Sequence, residues 1–151
     1  MQQMDTTEMA KNLSSLVQLD IDAVHAYNQA IEEIDVVSIR DQLTEFRNDH
    51  SRHITELSDE IRQLGETPPE YSKDFKGHLI EGFTSLRSKM GTESALKAMQ
   101  SNEKLTNKNY DKARSWTLTP TAKALVEKNY ADEQRHLHYI EQALAARTWE
   151  K

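Results

Sequence analysis

Six residues stand where helical periodicity calls for apolar side chains, and all six can bind a proton or a metal ion: Asp20, His50, His53, Glu103, Glu133 and His136. Helical positions advance about 100° per residue, so residues three and four apart share a face. Asp20 falls inside the stripe Leu13, Leu16, Val17, Val24, Tyr27, Ile31 and Ile34. His50 and His53 interrupt Ile39, Leu43, Phe46, Leu57, Ile61 and Leu64. Glu103 follows Leu96 and lies between Met99 and Tyr110. Glu133 and His136 lie between Val126 and Ile140, in a stripe that includes Leu137 and Leu144. Taken singly, an inward histidine can be a satisfied core residue, and an inward glutamate can be half of a buried salt bridge. Here no Lys or Arg shares the centre of these stripes with the acids, Arg114 being the nearest candidate. Desolvated carboxylates cost several kcal/mol each unless paired or bound to metal. Carboxylate and imidazole donors suit iron, manganese or zinc. The chain has no cysteine, which excludes disulfides and thiolate-held metals.

Other polar residues carry weaker signals. Asp49 flanks the second stripe and is an outside candidate. Asp22, His25, Glu32 and His138 point away from the stripes and are expected to be solvated, and His78 lies in a connection.

The six residues also repeat. Asp20, Tyr27, His50 and His53 map onto Glu103, Tyr110, Glu133 and His136 at a constant offset of 83 positions. Each half therefore reads as an acid, a tyrosine seven residues on, and a pair at three-residue spacing. Two helical hairpins of one pattern, packed about a pseudo-two-fold axis, would bring all six to one level at mid-bundle.

The elements that must position them follow from period and punctuation. Helix 1 is expected from about 8 to 34, helix 2 from 39 to 64 with Ser38 as N-cap, helix 3 from 92 to 117, and helix 4 from 121 to 147. Gly65 ends helix 2 as the residue just past its C-cap. The glycines and prolines fall mostly between 65 and 91, a connection expected to hold a short helix around Gly77 to Met90. Connections that run short, long, short imply an antiparallel four-helix bundle with one long crossover, an all-α fold and a single domain over 1–151.

Composition sets the remaining bounds. At 151 residues, with 36% hydrophobic and 29% charged residues, the chain reads as an ordinary globular domain. A net charge of −6 with dispersed Lys and Arg argues against nucleic-acid binding. The first residues, MQQMDTTEMAKN, lack an apolar core, and no apolar run approaches the length of a membrane span. The expectation is a cytoplasmic protein with no membrane partner.

An inward acid on helices 1 and 3, with Glu-x-x-His or its variant on helices 2 and 4, resembles the di-iron carboxylate pattern of the ferritin-like superfamily. The run Asp132-Glu133-Gln134-Arg135-His136, continuing to Tyr139-Ile140-Glu141, resembles the matching helix of bacterioferritin and rubrerythrin. Asp20 with Tyr27 also resembles bacterioferritin. The stretches from Gly77 into helix 3 and from Glu103 to Tyr110 are most similar to small bacterial ferritin-like bundles of unassigned function. The resemblance spans residues 10–145 and implies one or two iron ions, with zinc or manganese as alternatives. Asp20, His53 and Glu133 would hold one ion and Glu103, His136 and Glu133 the other, with His50 adding a nitrogen to either. Tyr27 and Tyr110 would hydrogen-bond the ligands or donate single electrons.

Two departures qualify what is carried over. Asp20 stands where glutamate is usual, and His50 replaces a glutamate that normally bridges two metals. The expected function is thus ferritin-like metal binding, with iron-dependent oxidation by O2 or peroxide. The alternative is a non-catalytic, metal-binding or stress-related bundle or interaction module. Cage storage is not expected, because only Thr148-Trp149-Glu150-Lys151 follow helix 4. A homodimer through the apolar residues of 77–90 is a further expectation.

Overall fold

The computed structural model describes residues 5–70 and 91–150. Four α-helices form there, α1 (Thr6–Glu33), α2 (Val37–Gln63), α3 (Thr92–Ala113) and α4 (Pro120–Ala146), followed by a 3-10 turn at Thr148–Glu150. No strand occurs among the described residues. The short helix expected at Gly77–Met90, and the dimer surface expected there, lie outside the described residues.

Local chemistry sets the helix ends. Asp5 caps α1 by accepting from the Thr7 amide at 3.1 Å, and Thr119 caps α4 by accepting from the Ala122 amide, with Pro120 at the first helical position. Helix α2 starts two residues before the expected point, and Ser38 is not its cap. Val36 takes that place without a side-chain bond. Val36 packs against the apolar cluster that holds Ile34 and Ile39, so packing outweighs the better capping residue. Helix α3 stops four residues short of the expected 117, because Trp116 and Leu118 turn back onto the opposite apolar cluster.

Helix α1 packs on α2 and α3, and α4 packs on those same two helices. Contact partners run in opposite directions along every interface. Asn28 meets Arg47 and Asp20 meets His53 between α1 and α2. Tyr27 meets Glu103 and Tyr110 meets Asp20 between α1 and α3. Glu103 meets His136 and Arg114 meets Glu127 between α3 and α4. Helices α2 and α3 are therefore parallel and diagonal. Since α2 has 27 residues, the connection between them must traverse about 40 Å. This is the one-crossover order expected from the spacing of the breaks. No described helix is long and apolar enough to cross a membrane.

The apolar core is divided in two. One cluster holds Tyr27, Ile34, Ile39, Leu43, Phe46, Leu96, Met99 and Ile140. The other holds Leu13, Leu16, Val17, Ile21, Leu57, Ile61, Tyr110 and Val126. A layer of buried polar side chains separates them.

Helix α1 departs from a one-sided amphipathic pattern. Residues 20–27 are all buried, so the burial continues around more than two full turns. Asp22 and His25, expected to be solvated, are 4% and 9% exposed. Gln18 donates to Asp22 at 3.1 Å. Glu32 and His138 are exposed as expected.

The end of α2 carries a specific backbone requirement. Gly65 has φ +85, its amide bonds to the Arg62 carbonyl at 2.9 Å, and the Glu66 amide bonds to the Ile61 carbonyl at 3.1 Å. These paired bonds close the helix as a Schellman motif. A Cβ at Gly65 would meet nothing within 4 Å, so only the left-handed backbone would penalise it. Gly65→Ala should lower the unfolding free energy by about 1–2 kcal/mol, and Gly65→Asn by clearly less; urea titration of the two variants checks this.

Candidate metal centre

The structure brings the six sequence-derived residues together. Asp20 comes from α1, His50 and His53 from α2, Glu103 from α3, and Glu133 and His136 from α4, and each is 0% exposed. They fall into two groups whose donor atoms lie within 4.8 Å of one another: Asp20, His50, His53 and Glu133, then His50, Glu103, Glu133 and His136. His50 and Glu133 belong to both.

The buried acids are partnered by histidines. Asp20 lies 2.6 Å from His50 Nδ1 and 3.0 Å from His53 Nδ1. Glu103 lies 3.1 Å from His50 Nε2 and 3.2 Å from His136 Nδ1. Arg114, the cation closest in sequence reasoning, is at the surface and pairs with Asp111 and Glu127. Burial opposes ionisation of Asp20 and Glu103, yet the charges of His53 and His136 outweigh it and hold both pKa values below the usual range. Burial would also lower the histidines. The surrounding carboxylates reverse this, raising His50 to about 10 through Glu133 and Asp20, and His136 to about 11 through Glu103. His53 is likewise raised, chiefly by Asp20.

Hydroxyl donors fix the carboxylates. Tyr27 donates to Glu103, and Tyr110 donates to Asp20 at 2.6 Å, so each tyrosine serves the acid of the other hairpin. Burial and the neighbouring carboxylate hold both phenols protonated, with pKa values well above the usual value. Thr106 donates toward Glu103 Oε1 at 2.9 Å and Glu133 Oε1 at 3.0 Å. Glu133 Oε2 is different. It is buried, accepts no hydrogen bond, and has His53 Nδ1 3.4 Å away. A buried acceptor left open between imidazole and carboxylate donors is a place a cation would satisfy.

Four residues outside the stripes complete the centre. His53 Nε2 lies 2.9 Å from Asp132 Oδ2, and His136 Nε2 lies 2.8 Å from Asp49 Oδ2. An ionised carboxylate only accepts, so each Nε2 carries hydrogen and each Nδ1 is presented to the interior. Burial works against ionisation of these aspartates, but hydrogen bonds from His136 and Arg135 hold Asp49 well below the carboxylate range, and those from His53 and Arg135 bring Asp132 to about 2. Arg52 and Arg135 each pair with both aspartates, Arg135 at 2.9 and 3.0 Å. From the sequence Asp49 is only an outside candidate, and Asp132, Arg52 and Arg135 carry no assigned role. The offset of 83 would have found them: Asp49-x-x-Arg52-His53 recurs as Asp132-x-x-Arg135-His136.

Because the two arginines are shared, the aspartates should not behave independently. Asp49→Ala and Asp132→Ala should each cost about 1–3 kcal/mol by stranding a histidine N–H. The double variant should depart from additivity by at least about 0.5 kcal/mol. A double-mutant cycle by denaturant unfolding in chelator checks this, and additivity would contradict the shared network.

Asp22 and His25, although buried, belong to neither donor group. No curated protein matches this chain. A family model does match, over residues 8–115, which covers α1 to α3 and with them Asp20, His50, His53 and Glu103. The chain therefore belongs to the family described as a domain of unknown function, DUF2383.

Proposed function

We propose that this protein is a ferritin-like metal-binding bundle that holds one or two iron-class ions at mid-bundle and supports iron-dependent oxidation by O2 or peroxide. The open, buried Oε2 of Glu133, a residue that belongs to both histidine and carboxylate groups, carries this reading. The parallel diagonal pair α2 and α3, and the matched acid, tyrosine and D-x-x-R-H elements of the two hairpins, support kinship with the ferritin-like superfamily.

Bound iron would supply one-electron exchange with a small oxidant. The chain's own residues prepare the site for that. Asp20, Glu103 and Glu133 furnish anionic oxygens, and His50, His53 and His136 furnish nitrogens. Asp49 and Asp132 hold Nε2–H of the outer histidines, so that Nδ1 faces the interior. Tyr27 and Tyr110 keep the acids in place and set phenols beside them. Full burial of all six donors excludes bulk water and restricts access to very small molecules.

One observation favours a second, non-catalytic reading. His50 stands where a further bridging carboxylate would supply negative charge, so the six donors hold only three carboxylates. Such a site neutralises two oxidised irons less completely, and a tightly held ion that chiefly ties the helices together fits it.

The full chain should bind iron or zinc near stoichiometrically, and the combined His53→Ala and His136→Ala variant should bind none, as read by elemental analysis. Unchanged metal content in that variant would sink the assignment. Absorbance under air should then show Fe(II) oxidised faster than in buffer alone; a rate equal to buffer would leave the non-catalytic reading.

A further inference from the structure

His50 differs from the other two site histidines in what its ring nitrogens face. His53 and His136 each turn Nδ1 inward and give Nε2–H to an outer aspartate. That is how a histidine serving one metal ion is usually held. His50 has no such outer acceptor among its hydrogen bonds. Its Nδ1 lies 2.6 Å from Asp20 Oδ1, and its Nε2 lies 3.1 Å from Glu103 Oε2 and 3.4 Å from Glu133 Oε1. Both nitrogens therefore face inner acids, and each faces a different one.

Glu133 divides in the same way. Its Oε2 lies 3.4 Å from His53 Nδ1, while its Oε1 lies 3.6 Å from His136 Nδ1. Sorted by atom, one set is Asp20 Oδ1, His50 Nδ1, His53 Nδ1 and Glu133 Oε2. The other is Glu103 Oε2, His50 Nε2, His136 Nδ1 and Glu133 Oε1. Each set has two nitrogens and two oxygens, and no atom is used twice.

We propose that His50 bridges two metal ions, giving one ring nitrogen to each, alongside the Glu133 carboxylate. This rests on the metal-binding reading above and makes the centre dinuclear. As the two metal–nitrogen bonds form, both ring protons leave to solvent and the ring binds as imidazolate. A single ion could not use His50 fully, because the two nitrogens sit on different sides of a rigid ring. The second nitrogen would then stay against a buried carboxylate while the other set lacked a cation. The ring also sets the spacing. With metal–nitrogen bonds of about 2.0–2.1 Å at each end, the ions stand roughly 6 Å apart, whereas compact two-metal sites hold theirs at about 3.5–4 Å.

The test uses the full chain, stripped with chelator and reloaded with Zn(II) alone. Elemental analysis counts the ions, and anomalous diffraction from crystals of the loaded protein locates them. Two zinc ions per chain, roughly 6 Å apart with His50 between them, are expected. His50→Glu, which introduces a carboxylate at the bridge, should retain two ions and bring them toward about 3.5–4 Å. A single ion per chain, or two ions already that close in the unaltered protein, would overturn the histidine bridge while leaving metal binding intact. Absence of bound zinc in the unaltered protein would instead overturn the proposed function. The spacing in the unaltered chain decides the question even if the variant does not fold.

Discussion

Three carboxylates at the centre of a helical bundle, with no lysine or arginine paired to them among the described residues, form the constraint on which the rest of this structure depends. Asp20, Glu103 and Glu133 are fully buried, and several kcal/mol per ion would be lost if they were left alone. Three histidines answer them in the protein as described, which makes the layer locally balanced. The apolar residues stay out of that layer and gather in two clusters, one on either side of it. Hydroxyls from Tyr110 and Thr106 satisfy Asp20 Oδ2 and Glu103 Oε1, which the histidines do not reach, and Tyr27 adds a donor to Glu103 Oε2. What remains open is Glu133 Oε2.

The two hairpins meet this demand by exchange. Each tyrosine bonds the acid of the other half, and each outer aspartate holds the histidine of the other half. The centre can therefore form only when both hairpins have docked, which couples its geometry to the whole bundle. The halves are not equivalent in detail. Phe46 stacks on His136 with ring centres 4.3 Å apart, while its counterpart at the offset of 83, Asn129, donates to Tyr110 at 3.3 Å. Thr106, which ties two carboxylates, has Ala23 as its counterpart. Together with Asp20 against Glu103 and His50 against Glu133, these differences make the two donor groups chemically unequal within one scaffold.

Much of this was legible in the sequence, because polar residues on an apolar stripe violate a strong periodic rule. The four helices, the crossover order and the convergence of Asp20, His50, His53, Glu103, Glu133 and His136 all follow from that violation and from the repeat. Residues beside the stripe were harder to see. Asp49, Asp132, Arg52 and Arg135 sit where charged side chains are ordinary, so only the repeated D-x-x-R-H spacing marks them. Burial of Asp22 and His25 was missed for a related reason: a helix covered all round has no polar face to read. Its signal was the lack of any Lys, Arg or Glu from Asn12 to Ile31. The start of α2 depended on how Val36 packs, which capping preference alone does not reveal.

Ion binding to this buried layer, as proposed, would stabilise the fold. A ligand that binds only the folded state raises stability by about 2.7 kcal/mol at a hundred times its Kd. For a chain of this size that corresponds to roughly 5–10 °C in Tm. The direct measurement is therefore the Tm of the chelator-stripped full chain titrated anaerobically with Fe(II), and in parallel with Zn(II). A Tm that climbs with ion concentration is expected. A Tm unchanged by both ions across the whole range would contradict the proposed ion binding.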